Sequence, residues 1–175
     1  MNENQGEEVS INLMAPVVAG RSAAGVELGM HKAEFSELFV DAKHWNQATQ
    51  IQEAIGETAS WLHVVYDNVV GDDRITEDYY YSYGAVRLAF DAAGTLVMIV
   101  LAEGYQGTLF DEIRIGDRLD RVLNHADLHY DDVDELHHAS IAEGEIGLSI
   151  YAEESPLFNL PDQKISRIFV HDDFL

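Results

Sequence analysis

The sequence predicts an α+β fold built from two tandem, diverged helix-plus-antiparallel-sheet repeats in one domain, and three observations carry that prediction. One short pattern recurs, in the same order, in both halves of the chain. Each copy opens with apolar residues at three- and four-residue steps, the spacing of a helix face. Each then passes into segments that alternate apolar and polar, the period of a half-buried strand.

The repeat is read first. Val26-Glu27-Leu28-Gly29-Met30, followed by Glu34-Phe35, returns as Ile113-Arg114-Ile115-Gly116-Asp117, followed by Arg121-Val122, with a constant offset (116 − 29 = 87 and 122 − 35 = 87). The run from Gly84 to Phe90 matches Gly144 to Ile150 at 144 − 84 = 60, and Leu96, Ile99 and Leu101 match Ile165, Ile168 and Val170 at 165 − 96 = 69. Order is kept while spacing drifts, as duplication followed by loop changes would leave it. Repeat one spans about 11–110 and repeat two about 111–175, while residues 1–10 are a polar, acidic tail expected to be unstructured.

Phe35, Leu38, Phe39, Ala42 and Trp45 share one predicted helix face, and Ala48, Ile51, Ala54 and Ile55 share a second, ending at Gly56 as a left-handed cap. Trp61–Tyr66 has strand composition; Val86, Leu88 and Phe90 alternate with Arg87, Ala89 and Asp91; Gly94 marks a turn, and Leu96–Leu101 returns. Copy two offers a shorter helix through Leu119, Val122, Leu123 and Ala126 with Asp117 as N-cap, then strands over Glu145–Tyr151 and Lys164–His171. Helices are expected to cover one face of the strands and leave the other open.

Composition bounds the function. The 175 residues suffice for one core, and 32 acidic against 10 basic residues give a net charge of −22. Such a field repels nucleic acid and anionic lipid and speeds encounter with a basic protein, so neither nucleic acid nor membrane is an expected partner. No apolar run is long enough to span a bilayer, and Glu3, Glu7 and Glu8 precede the apolar patch Ile11–Val18 where an export signal needs basic residues. A cytoplasmic location is the expectation. The absence of cysteine closes thiol catalysis and thiolate metal sites.

With Val86, Leu88 and Phe90 facing the helices, period two sends Tyr79, Tyr81, Tyr83, Arg87 and Asp91 to the open face. Tyr and Arg dominate the energetics of protein interfaces, and Asp72, Asp73 and Glu77 upstream would form a charged rim for a basic partner. These seven residues, Tyr79, Tyr81, Tyr83, Arg87, Asp72, Asp73 and Glu77, are the candidate partner-binding set; a tyrosine ladder that merely stabilises the strands is the competing reading.

Eight histidines raise the question of metal. His125 and His129 would share one face of a helix running through Leu128, near Asp127, Asp131, His137 and His138 in sequence. No His-Glu-x-x-His arrangement accompanies them, and phosphate-binding glycine loops and Gly-x-Ser-x-Gly are lacking too. No catalytic residue, metal or other cofactor is therefore expected.

The openings Val26-x-Leu28-Gly29-Met30-x-x-x-Glu34-Phe35 and Ile113-x-Ile115-Gly116, each followed by paired strands, resemble the helix–helix–sheet repeat of the β-lactamase-inhibitor-protein and SmpA/OmlA-like superfamily. The run Ala19–Gly29, with Val86-x-Leu88-x-Phe90-Asp91-x-x-Gly94, Gly104-Tyr105-x-Gly107 and Ile113-x-Ile115-Gly116, is similar to small proteobacterial proteins of immunity genes found beside polymorphic toxins. That resemblance implies a protein that binds and blocks a cognate toxin and carries no catalytic residue. Two departures stand out: Arg121 replaces Glu34, and the loop around Pro156 is long. The expectation is an immunity protein that occludes a cationic toxin domain. A metal-assisted hydrolase at His125 and His129, or an acidic DNA mimic, is the alternative.

Overall fold

The computed structural model describes residues 9–47, 49–66 and 74–172, and its centre is a nine-stranded sheet. Ahead of the sheet, β1 (Ser22–Ala23) and β2 (Val26–Glu27) form a small hairpin. Its turn holds Ala24 and Gly25 at φ 55° and 83°, the left-handed pair that a tight two-residue hairpin requires.

A 3-10 helix over Lys32–Phe35 runs directly into α1 (Ser36–Phe39). His31 begins it: the His31 ring accepts from the Ala33 amide, and the Glu34 carboxylate accepts from the His31 amide. This reciprocal cap satisfies two donors that the helix cannot. The predicted helix face out to Trp45 is not realised. α1 ends at Phe39, and Lys43–His44 (β3) pairs parallel with the next strand, where the Trp45 amide donates to the His63 carbonyl. Backbone groups committed to a sheet edge cannot also close helical turns. α2 (Ile51–Gly56) is present, but Gly56 is not in the left-handed conformation expected of it, and Glu57 caps the helix. Ala48 lies outside the described residues.

The remaining strands are β4 (Trp61–Val65), β5 (Ile75–Tyr81), β6 (Val86–Asp91), β7 (Leu96–Leu101), β8 (Asp127–Asp131), β9 (Leu136–Ile141), β10 (Gly144–Tyr151) and β11 (Arg167–His171). A second 3-10 helix, Leu119–Asn124, precedes β8. Arg118 is its N-cap residue, and Asp117 instead accepts from the Arg114 amide and pairs with Arg121. In space the order is β3-β4-β5-β6-β7-β11-β10-β9-β8. Thus β4–β7 and β8–β11 are two four-stranded meanders joined by antiparallel pairing of β7 with β11, where Val100 lies opposite Phe169. The molecule is α+β with strands predominating.

Cross-strand neighbours share a face, so the ladders define two sides. One side carries Val86, Leu88, Ile99, Leu101, Ile150, Ile168 and Val170, all buried in the main core under Phe35, Leu119 and Val122 of the helical turns. Each such side chain contributes about 1.5–3 kcal/mol by leaving water. The other side has a smaller apolar group, Ala89, Met98 and Val100 with Ile75 and Phe169. A bulge between Glu145 and Ser149 bends β10, and Gly147 sits there at φ 63° with the His171 carbonyl 2.2 Å from where a Cβ would be. Only glycine fits that contact. Among the described residues no helix is long and apolar enough to cross a membrane.

Candidate functional site

The tyrosines expected on the open face are divided between two environments. The register pairs Tyr79 with Leu88 and Tyr81 with Val86, so both point to the core side, while Arg87 pairs with Tyr80 on the opposite side. The period-two argument failed at the turn: Ser82, Tyr83 and Gly84 all have positive φ, and a turn resets which face an odd residue takes. Tyr79 is 6% exposed, with its ring stacked between Phe39 at 3.7 Å and His63 at 4.2 Å. Burial, reinforced by Glu77, pushes its hydroxyl up to about 12. Tyr81 lies against Trp61 with centroids 4.8 Å apart. Tyr83 alone of the three is well exposed, at 60%, on the β5–β6 turn.

Glu77 is not a rim residue either. It is buried and binds the Lys32 ammonium and His63 Nε2, the latter at 2.7 Å. Burial alone would raise its carboxyl, but Lys32 and His63 together hold it below the ordinary value. His63, whose Nδ1 is 3.0 Å from His44, is held low chiefly by burial. Asp72 and Asp73 lie outside the described residues. Asp91 is spent on its turn, accepting from the Ala93 and Thr95 amides.

Arg87 does face the second side, where sequence reasoning missed its partner. Its guanidinium is 2.8 Å from Asp78, a carboxylate with no exposure, and Tyr66 and Tyr80 also donate to Asp78. Asp78 Oδ1 and Arg87 Nε have no hydrogen-bond partner among the described residues. Further along the same side, Ser149 Oγ is 2.8 Å from His138 Nδ1 and 2.8 Å from His171 Nε2, and His138 Nε2 is 3.1 Å from Asp134. The connectivity is that of a serine triad, but Ser149 is fully buried in mid-strand, where no substrate carbonyl reaches its oxygen. The network satisfies buried polar groups.

His125 and His129 do not share a helix face. His125 follows the second 3-10 helix, binds Glu112 at 2.8 Å and stacks on Phe110, whereas His129 is in β8 opposite His138. The strand pairing instead gathers Asp131, Asp134 and His138, whose ligand atoms lie within 4.8 Å of one another.

At the β8 edge the core side opens into a cavity of roughly 500 Å³ walled by Leu123, Leu128, His129, Tyr130, His137 and the Pro156–Phe158 loop. That size suits a ligand or a large side chain. Desolvation and the carboxylates of Glu135, Glu154, Asp132 and Asp134 raise the Tyr130 hydroxyl pKa, so the mouth is acidic. His137 in its wall is 1% exposed, and both its ring nitrogens lack a hydrogen-bond partner among the described residues. Burial lowers the pKa of that ring, against a weaker opposing pull from the Ile150 backbone. One signal of this site was legible: two apolar residues, Leu157 and Phe158, in a proline-bounded loop after Glu153 and Glu154. A second cavity of roughly 210 Å³ has a mixed lining that includes Lys43, His44, Trp45 and Glu57. No family model matches the sequence, and neither a curated protein nor a solved structure matches it.

Proposed function

We propose that this chain is a non-catalytic inhibitor that binds and occludes a basic partner protein, a toxin effector domain as the immunity resemblance implies, on a scaffold of two diverged repeats. The observation that carries this reading is unneutralised negative charge. Of the 10 basic residues, Arg21, Lys32, Arg74, Arg87, Arg118 and Arg121 are already paired with carboxylates. The surplus of 32 acids over these few cations must find its counter-charge in solution or on a partner.

Equivalent backbone bonds support the two-copy scaffold. The Gly29 amide donates to Leu96 and the Gly116 amide to Ile165; Leu96 donates to Met30 and Ile165 to Asp117; Lys32 donates to Gly94 and Leu119 to Gln163. The spacings are those of the sequence repeat (116 − 29 = 117 − 30 = 119 − 32 = 87; 165 − 96 = 163 − 94 = 69). Val100 pairs with its own counterpart Phe169 (169 − 100 = 69), as residues on a two-fold axis must. On this reading β6 and β10 correspond at 148 − 86 = 62 in their paired stretch, a match supported by Val86 facing Leu101 and Leu148 facing Val170. The offset of 60 at Gly84 and Gly144 becomes 62 beyond the β10 bulge, which adds two residues between Glu145 and Ser149. The other strands follow at 137 − 79 = 58 and 130 − 63 = 67.

Affinity capture from the native host tests the function. The expected result is one basic protein that arrests growth when expressed alone and is neutralised by co-expression of this chain. A captured protein that is harmless, or whose binding is indifferent to salt, contradicts the reading. The metal alternative now rests on Asp131, Asp134 and His138. Calorimetric titration with Zn²⁺ and Mn²⁺ tests it, and no heat above that of a His138→Ala variant removes it.

A further inference from the structure

We propose that the cavity beside β8 is a socket for an aromatic side chain carried on a basic segment of the partner protein, seated there as Phe39 is seated in the first half of this chain. The inference rests on the reading of the chain as a two-copy binder of a basic protein, and it names the surface and the anchor.

The first half supplies the template. Phe39, at the end of α1, stacks on Tyr79 with centroids 3.7 Å apart and planes 7° from parallel, and meets Trp61 edge-on at 4.9 Å. It roofs the β4–β5 end of the core. The repeat spacings carry these three positions to Ala126 (39 + 87), His137 (79 + 58) and Leu128 (61 + 67). The wall residues are thus retained as a flat ring and an apolar side chain, but the roof has been reduced to a methyl group. The second 3-10 helix also stops at Asn124, so no full turn corresponding to α1 covers this end. The cavity shares two of these positions, Leu128 and His137, and is otherwise bounded by Leu123, His129, Tyr130 and the Pro156–Phe158 loop.

Three features say that a partner fills it. Phe158 is 83% exposed and Leu123 is also open to water, apolar surface whose burial a partner would recover at about 25 cal/mol per Å². His137, in the cavity wall, is buried with no hydrogen-bond partner for either ring nitrogen among the described residues. The carboxylates of Glu135, Glu154, Asp132 and Asp134 act on the adjoining Tyr130 hydroxyl, so residues flanking the inserted ring meet negative charge and would be Lys or Arg. An aromatic anchor within an acidic rim is the anatomy of a protein interface hot spot.

The test uses the full chain and three capped pentapeptides, Lys-Lys-Phe-Lys-Lys, Lys-Lys-Ala-Lys-Lys and Glu-Glu-Phe-Glu-Glu, followed by amide-resolved NMR titration. The Phe-containing lysine peptide is expected to shift the amides of Leu128, Tyr130, His137 and Leu157 and to bind about tenfold more tightly than its Ala counterpart. In the Leu123→Ala/Phe158→Ala variant, whose altered side chains are exposed and whose melting should be unchanged, that tenfold advantage is lost. The acidic peptide should not bind. Equal affinity of the two lysine peptides overturns the socket and leaves acidic capture standing. Failure of both lysine peptides overturns the socket together with the basic-partner reading. Binding of the acidic peptide as tightly as the basic one overturns the basic segment as occupant.

Discussion

Asp78 and Arg87 show what a single pairing contributes to this sheet. Asp78 has no exposure and Arg87 is largely covered, so removing either leaves the other as a buried charge without its partner. Arg87→Ala is expected to cost about 3–5 kcal/mol in urea unfolding, and Asp78→Leu with Arg87→Met should recover most of it, since an apolar pair of similar volume carries no desolvation cost. Tyr79 and Tyr83 separate in the same experiment. Tyr79→Ala opens a hole between Phe39 and His63 and is expected to cost about 3–5 kcal/mol, whereas Tyr83→Ala, on an exposed turn, should lie within about 0.5 kcal/mol of the parent. Equal losses at both positions would contradict the assignment of faces. Asp78 could not be singled out from the sequence, because 32 acids make any one of them anonymous until a ladder places it opposite Ala89 and beside Arg87.

Among the elements, β7 and β11 hold the two meanders together, and β7 is paired on both edges, to β6 and to β11. Val100→Pro removes a ladder donor from a central strand, where proline is not accommodated. Loss of cooperative unfolding, read by circular dichroism, is the expected outcome, while the same change at an edge position of β8 such as His129→Pro should leave a folded protein. Strand β6 was legible because Val86, Leu88 and Phe90 fall two residues apart, and β7 because Leu96–Leu101 is an unbroken apolar run after the Gly94 turn. β8 was read as helix because His125 and His129 are four apart, although Asp127-Leu128-His129-Tyr130-Asp131 alternates. Its charges are those of an edge strand that must discourage further pairing. The truncated helix after Phe39 has a related cause: Lys43 and His44 are drawn to the β4 edge, a contact with residues 19 positions away (62 − 43 and 63 − 44) that local periodicity cannot report.

For the whole molecule, pH links burial to stability. His63, His137 and His171 are all held below the ordinary histidine value of 6.5, chiefly by burial. Once unfolded, they recover that value, so below pH 6.5 the unfolded chain binds protons that the folded chain refuses. Their contribution is complete above about pH 6.5 and is lost as pH falls toward the depressed folded values, at no more than about 1.4 kcal/mol per pH unit for each histidine. Glu77, lowered from 4.5, adds a second loss on further acidification through its folded pKa. Self-repulsion of the −22 charge acts in the opposite direction, but added salt screens it. In about 0.3 M salt the melting temperature is expected to be level from pH 8 to 7 and to fall below 6.5; a melting temperature that held or rose would show these rings protonated in the folded state.

Composition and local period were enough to establish the acidic surplus and the mixture of helical turns with strands, and they motivated the reading of one pattern recurring at offsets of 87, 60 and 69 residues. These are properties of neighbours along the chain, and neighbours are what a sequence displays. Which side the tyrosines take, the seam where Val100 meets Phe169, and the cavity between β8 and the Pro156–Phe158 loop were decided by tertiary structure. Each depends on register, and register is set by turns with left-handed residues and by pairing between distant strands, so a shift of one residue would send every side chain in those strands to the other face.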